Sequence, residues 1–188
     1  VGLIEGRLSR LADMVVNVSE HDRQLATKAG YGGTHTVIEN AMPDVSSPAA
    51  LPETLFPSDK INLLFVGRFD RQKGLDVLLD AYCTAAAQNP DLHLHIIGAA
   101  VEDGAEASAE NLPDSITFHG WVTPAEIPAY YAAADLVVMP SRWESLPMVI
   151  IEALRGGTPV MLSDLCGMGG LIEEGKSGFA VPLDAQSW

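Results

Sequence analysis

DLVVMPSRWESLPMVIIEALRGGTPVMLS, residues 135–163, reads as strand, loop, helix and strand. Its two ends, DLVVMP and TPVMLS, are short apolar runs rich in branched residues and bounded by turn formers. Between them PMVIIEALRG has helical composition, with Pro147 suited to the first helical position. Met148, Val149, Ile150, Ile151, Ala153 and Leu154 leave that helix almost no polar side, which predicts a buried helix. Glu152 nevertheless lies inside it, and Glu144 stands in the loop before it.

The same alternation runs outward through the chain. INLLFVG, LHLHIIG, SITFHG and GFAVP are further strand candidates, and GLDVLLDAYCTAAAQ, a weak EDGAEASAEN, PAEIPAYYAAA and a short MGGLIEEG are helix candidates. Short apolar strands alternating with helices predict a parallel sheet covered on both faces, an α/β, doubly wound, Rossmann-like domain over residues 60–188. Residues 41–59 lie in a proline-rich stretch without periodicity, which reads as an interdomain linker. Residues 1–40 hold a helix from Leu3 to Leu11, a strand MVVNV, a helix from His21 to Ala29 and a strand HTVIE, and read as the tail of another domain.

The net charge of −14 disfavours a nucleic-acid partner and an anionic membrane surface, since both need a basic face. No run approaches the roughly 18 apolar residues of a membrane helix. The expected location is cytoplasmic, with membrane association only through regions outside this chain. Cys83 and Cys166 lie far apart, suit no zinc pattern and are expected as free core thiols. The chain reads as a piece of a longer enzyme, and by itself is expected to be inactive.

In open α/β sheets ligands bind at the carboxyl ends of the strands, where strand order reverses. With the order 3-2-1-4-5-6, the first and fourth strands of the domain are neighbours there. The first ends in Gly67-Arg68-Phe69-Asp70-Arg71-Gln72-Lys73-Gly74 and the fourth in Pro140-Ser141-Arg142-Trp143-Glu144, so the two most unusual loops are expected to meet. The first loop holds three of only eleven Lys and Arg residues. Lys73 opens a helix, where a cation is disfavoured unless an anion is shared with the helix amides. Arg68 and Lys73 are therefore candidates for a phosphate site, whereas Arg71 reads as a solvated basic turn. Amides from Leu146 to Val149 could meet a phosphate or sugar oxygen, and Glu152 is expected as a buried carboxylate, which needs donors such as vicinal ribose hydroxyls. Its plainer alternative is a pairing with Arg155 or exposure to solvent, and Glu144 alone could be a loop carboxylate or a helix cap.

GRFDRQKGLDVLLDAY followed by PSRWESLPMVIIEALRGGTPV resembles the retaining GT-B glycosyltransferases of family 4, the glycosyl transferases group 1. The first piece resembles their G-R-x-x-x-x-K-G diphosphate loop and the second their E-x7-E motif, Glu144 to Glu152. VIENAMPD, ITFHGWV, YYAAADLVVMPS and EEGKSGFAV extend the likeness over nearly the whole chain. The resemblance implies that Gly67, Arg68 and Lys73 hold the diphosphate of a UDP-, GDP- or ADP-linked sugar and that Glu152 binds the ribose. It implies that Glu144, with the amides of Leu146, Pro147's loop and Met148, binds the transferred sugar, and that Val122 borders the base through its backbone. Glu144, Arg68 and Lys73 would act in hexosyl transfer to a glycan or lipid-linked acceptor held by the N-terminal domain, with no cofactor and no metal. Two departures stand out: Gly170 occupies a position where the family often has Glu, and Asn40-Ala41 replaces the usual Asn-Gly.

There is no G-x-G-x-x-G after a strand, no P-loop and no Asp-x-Asp. His93 and His95 alternate along one strand face without a third ligand and read as structural, while His119 and Cys166 lack triad partners. Two rival readings remain: a nucleotide-sugar epimerase of the same fold, which would need base candidates in the cleft, and a non-catalytic nucleotide-binding module, which would not need the second domain.

Overall fold

A computed structural model describes residues 2–42, 51, 55–100, 112–165 and 168–188. It divides into two compact units, Val1–Pro43 with Ser145–Met148, and Asp44–Glu144 with Val149–Trp188.

In the first unit, α1 (Gly2–Leu8) runs into a 3-10 turn at Ser9–Leu11, where the sequence predicts one continuous helix. β1 (Met14–Asn17) and β2 (Thr34–Val37) pair in parallel, joined by α2 (Glu20–Lys28). Ser19 caps α2 by accepting a hydrogen bond from the Asp22 amide at 3.1 Å, which supplies a partner for a free N–H of the first turn. Within this unit Asn40 Nδ2 donates to the Leu146 carbonyl at 3.2 Å.

The second unit is a six-stranded parallel sheet in the order β5-β4-β3-β6-β7-β8. Its strands are β3 (Ile61–Val66), β4 (Leu92–Ile97), β5 (Ile116–Gly120), β6 (Leu136–Met139), β7 (Val160–Ser163) and β8 (Gly178–Val181). Counted within the unit, this is the expected 3-2-1-4-5-6, and β3 and β6 are neighbours through Leu63↔Leu136 and Leu64↔Val137. Adjacent residues of one strand serve opposite faces. Leu64 and Val137 join one buried cluster with Tyr131, Ile150 and Ala153, while Phe65 and Val138 join another with Leu75, Leu78, Leu79 and Tyr82. Those last four lie at i, i+3, i+4 and i+7 of α3 (Leu75–Ala86), a single stripe against the sheet. α4 (Ile127–Ala133) and α5 (Met148–Arg155) contribute to the first cluster.

Three expectations change. α5 buries only Ile150 and Ala153 completely, and its other apolar side chains are half-buried. A helix lying on a sheet has one covered side, so apolar composition all round does not enclose it. MGGLIEEG forms only a 3-10 turn, Met168–Leu171, since two adjacent glycines disfavour a longer helix. Cys83 is free but only half-buried. The weak helix at 102–111 and Cys166 lie outside the described residues.

The histidines form a stack on one face of the sheet. The rings of His93 and His95 are 4.5 Å apart, those of His95 and His119 5.3 Å, and Phe56 stacks on His95 at 3.8 Å. His93 Nε2 meets Thr117 Oγ1 at 2.9 Å; His95 Nε2 meets Asn62 Oδ1 at 3.2 Å and its Nδ1 meets His119 Nε2 at 3.1 Å. Asn62 Oδ1 can only accept, so His95 donates from Nε2, and as a neutral ring it accepts from His119 at Nδ1. Burial pulls all three imidazoles below their usual range, His95 down to about 3. Among the described residues no helix is long and apolar enough to cross a membrane.

Candidate functional site

The first loop leaves β3 at Gly67. Gly98, on the neighbouring strand end, has φ +142°, and a Cβ there would lie 1.8 Å from the Gly67 carbonyl oxygen, so a bare backbone is required. Asp70 then turns the chain by accepting from the Lys73 amide at 3.0 Å, an Asx-type turn. α3 begins at Leu75, after Gly74 in the left-handed conformation, so Lys73 precedes the helix rather than opening it. A Cβ on Gly74 would lie 1.9 Å from the Pro140 carbonyl oxygen, which measures how closely this loop approaches the one after β6.

That second loop starts at Pro140 and Ser141, both buried, with the Ser141 carbonyl accepting from the Ser163 hydroxyl. Ser141 Oγ donates to Glu144 Oε1 at 2.8 Å, and Lys73 Nζ donates to the same oxygen at 2.6 Å. The Lys73 and Glu144 side chains are only 16% and 8% exposed, so the pair is largely out of water. Removing one partner of such a pair costs roughly 3–5 kcal/mol.

Three further contacts bind loop to loop, and a fourth ties the second loop to the first turn of α3. The Arg142 amide donates to the Gln72 carbonyl at 2.7 Å and Gln72 Nε2 donates to the Trp143 carbonyl at 2.9 Å. Arg142 Nη1 reaches the Arg71 carbonyl at 2.9 Å, and the guanidinium forks onto Asp76 at 2.8 and 2.6 Å. Planar guanidinium and carboxylate match in this bidentate geometry. The Arg142 guanidinium holds the Asp76 carboxyl below the usual carboxylate range.

The expected meeting of the two loops is therefore observed, but the cations do not stand alone. Lys73 has Glu144 as partner, and Arg68, 54% exposed, has Asp70 at 3.1 Å. Glu152 is half-buried rather than buried and, among the described residues, pairs with neither Arg155 nor another base: Tyr131 Oη donates to its Oε2 at 2.7 Å. Tyr131 is 2% exposed, and burial together with the Glu152 charge pushes its phenol well above its usual range. Each glutamate thus has one oxygen held by the protein. Among the described residues the other oxygen, Oε2 of Glu144 and Oε1 of Glu152, has no partner and is not sealed from solvent. Val122 is half-buried against the cluster containing Ile150; Leu146 and Pro147 are buried; Met148 is the first residue of α5; Gly170 is exposed.

Gln72, Asp76, Arg142 and Tyr131 were not singled out by sequence. A signal for Tyr131 existed in principle, because a carboxylate in an apolar helix requires a donor and tyrosine is one that can be buried with it. Among the described residues no group of three or more His, Cys, Asp or Glu could hold a metal ion.

The family model for glycosyl transferases group 1 matches residues 47–187. A protein of the cps region of Klebsiella pneumoniae, uncharacterized and of 41.2 kDa, is 33% identical over 187 residues, covering 96% of this chain and 51% of its own length. A D-inositol 3-phosphate glycosyltransferase of Arthrobacter sp. is 35% identical over 132 residues, 66% of this chain and 31% of that protein. The crystal structure of Anabaena HepE in complex with UDP and glucose superposes with a TM-score of 0.86 at 24% identity, over 99% of this chain and 54% of that one. This last likeness is one of fold, the doubly wound sheet of GT-B glycosyltransferases. The chain spans at most about half the length of these proteins.

Proposed function

The chain belongs to the glycosyl transferases group 1, and from that premise we propose that the whole protein is a family 4 enzyme. It moves a hexose from a nucleoside diphosphate to a hydroxyl of a glycan or lipid-linked acceptor, with retention and without a metal ion. The observation that carries this reading is the Lys73–Glu144 contact of 2.6 Å at the carboxyl ends of neighbouring strands. It sets a cation for a diphosphate beside a carboxylate for a sugar, at the place where such sheets bind ligands.

In this reading Arg68 and Lys73, with the Gly67 backbone, face the diphosphate. As the bond from the anomeric carbon breaks, its electron pair goes to the diphosphate oxygen, and two fixed cations stabilise that charge by several kcal/mol. Glu144 uses its unpartnered Oε2 for hexose hydroxyls, and the amides of Leu146 and Met148 are further donors to the sugar. Glu152 accepts from the ribose through Oε1, and the Val122 backbone borders the base. The acceptor lies with the N-terminal domain, to which residues 1–40 belong, and residues 41–59 link the two. UDP bound to the HepE neighbour supports a uridine donor among the three classes. An epimerase and a non-catalytic module are not favoured, because the family match is to transferases.

The test is thermal stabilisation of the protein by UDP-, GDP- and ADP-sugars, followed by NMR of the anomeric configuration in the product. A ligand at 100 times its Kd stabilises by about 2.7 kcal/mol. One nucleotide class is expected to do so, and its sugar to be transferred with retention; stabilisation by none of them overturns the proposal.

A further inference from the structure

Glu152 is held from a different helix. Tyr131 belongs to α4, is 2% exposed, and places its hydroxyl 2.7 Å from Glu152 Oε2. Its own main chain is fixed, since Thr158 Oγ1 donates to the Tyr131 carbonyl at 2.6 Å. The ring packs in the cluster that contains Ile150 and Ala153, two α5 residues flanking Glu152. A buried phenol must donate its proton, and no acceptor other than Oε2 meets this one among the described residues. Burial and the Glu152 charge raise the phenol's pKa, which favours the protonated donor form.

We propose that Tyr131 is a positioning residue: by occupying Glu152 Oε2 it fixes the carboxylate and presents Oε1 as the acceptor for the ribose hydroxyls of the donor. This rests on the assignment of Glu152 to the ribose. It has a consequence that simple packing lacks. In Glu152→Gln the buried Tyr131 proton keeps its acceptor only when the amide turns its oxygen toward Tyr131, which turns the NH2 toward the ribose. The ligand then meets a donor in place of an acceptor. Removing the Tyr131 hydroxyl frees the amide to turn round.

UDP, GDP and ADP are titrated calorimetrically beside their 2′,3′-dideoxy counterparts, using the full-length protein. For the tightest pair, the wild type is expected to favour the ribose form by 10-fold or more. Tyr131→Phe is expected to lose about 10-fold in affinity for the ribose form and little for the dideoxy form, so that the preference collapses. Glu152→Gln also loses ribose affinity, and the double variant Tyr131→Phe/Glu152→Gln recovers at least 3-fold of that loss. A wild-type preference that Tyr131→Phe leaves intact, or a double variant no better than Glu152→Gln, overturns the role of Tyr131 while sparing that of Glu152. A wild type indifferent to the ribose hydroxyls overturns both. Should Tyr131→Phe not fold, a crystal structure of the wild type with the bound diphosphate decides: Tyr131 on Oε2 and ribose on Oε1 supports the proposal, and ribose displacing Tyr131 from Oε2 overturns it.

Discussion

Gly74→Ala tests the meeting of the two loops. The backbone at Gly74 has φ +67°, and the added Cβ would stand 1.9 Å from the Pro140 carbonyl oxygen, where real Cβ contacts begin near 3.0 Å. The left-handed conformation costs an alanine roughly 1–2 kcal/mol. The clash is with main chain, so relief requires the loops to part by about 1 Å, stretching the bonds that Gln72 and Arg142 make between them. Forcing the loops apart adds roughly 1–2 kcal/mol, the scale of overpacking, for a total of about 3 kcal/mol, equivalent to a fall in Tm of about 6–12 °C for a chain of this size. The parting also separates Lys73, next in sequence, from Glu144, and a misplacement of about 1 Å at a reacting centre costs on the order of 10²-fold. Gly157→Ala is the control, because Gly157 has φ +84° but nothing within 4 Å of its Cβ position. It carries only the conformational cost, about 1–2 kcal/mol. Thermal melts of both variants and kcat/KM in the full-length protein give the comparison. Equal melting losses with unchanged turnover in both would refute the close approach as a determinant of the site.

Three other expectations concern single side chains. Arg68→Ala and Lys73→Ala should each lower donor turnover 10-fold or more, at least ~1.4 kcal/mol, with Arg71→Ala far milder. Chemical unfolding should separate the two: Lys73→Ala strands Glu144 and costs about 3–5 kcal/mol, whereas Arg68 is half exposed and costs under about 1; equal turnover losses at all three positions would mean a diffuse basic surface. Glu152→Gln should weaken a bare nucleoside diphosphate by ~1–2 kcal/mol, and Glu144→Gln should instead weaken only the intact sugar nucleotide, so equal calorimetric losses of the diphosphate contradict the division. The third is a pH dependence: folded His95 stays neutral down to about 3 while the unfolded imidazole protonates near 6.5. The unfolded state therefore binds the extra proton in that window, and stability is complete above pH 6.5 and falls below it by up to about 1.4 kcal/mol per pH unit. Urea unfolding from pH 7 to 5 should show a shallower slope for His95→Gln, with His93 and His119 leaving a remainder; identical slopes contradict the neutral stack.

The sheet is legible because its short runs put apolar residues at consecutive positions, Leu64-Phe65 and Val137-Val138, as a sheet covered on both faces demands, and helical segments alternate with them. The meeting of the two loops followed from strand order alone. What local pattern could not show was the set of partners. Asp76 and Arg142 are 66 positions apart, and Tyr131 and Glu152 are 21 apart, on helices whose mutual placement depends on the packed sheet. For the same reason the sequence marks Lys73 as a phosphate candidate without showing its partner across the strands, Glu144. The partial burial of α5 has another origin: side-chain composition reports apolar content, but which sides are covered depends on what lies around the helix.

The bonds joining Arg142 to Arg71, Gln72 and Asp76 bear on how such a protein can be recombined. Exchanging segments between related transferases is an obvious route to a new donor preference, and the natural crossover lies in the long stretch between α3 and β6. A hybrid cut there inherits Asp76 and Gln72 from one parent and the Ser141–Glu144 turn from the other. Unless both parents carry the same partners, the guanidinium loses its fork and Trp143 its amide contact. The two loops, distant in the chain, form one heritable cassette, and productive hybrids must take both from a single parent.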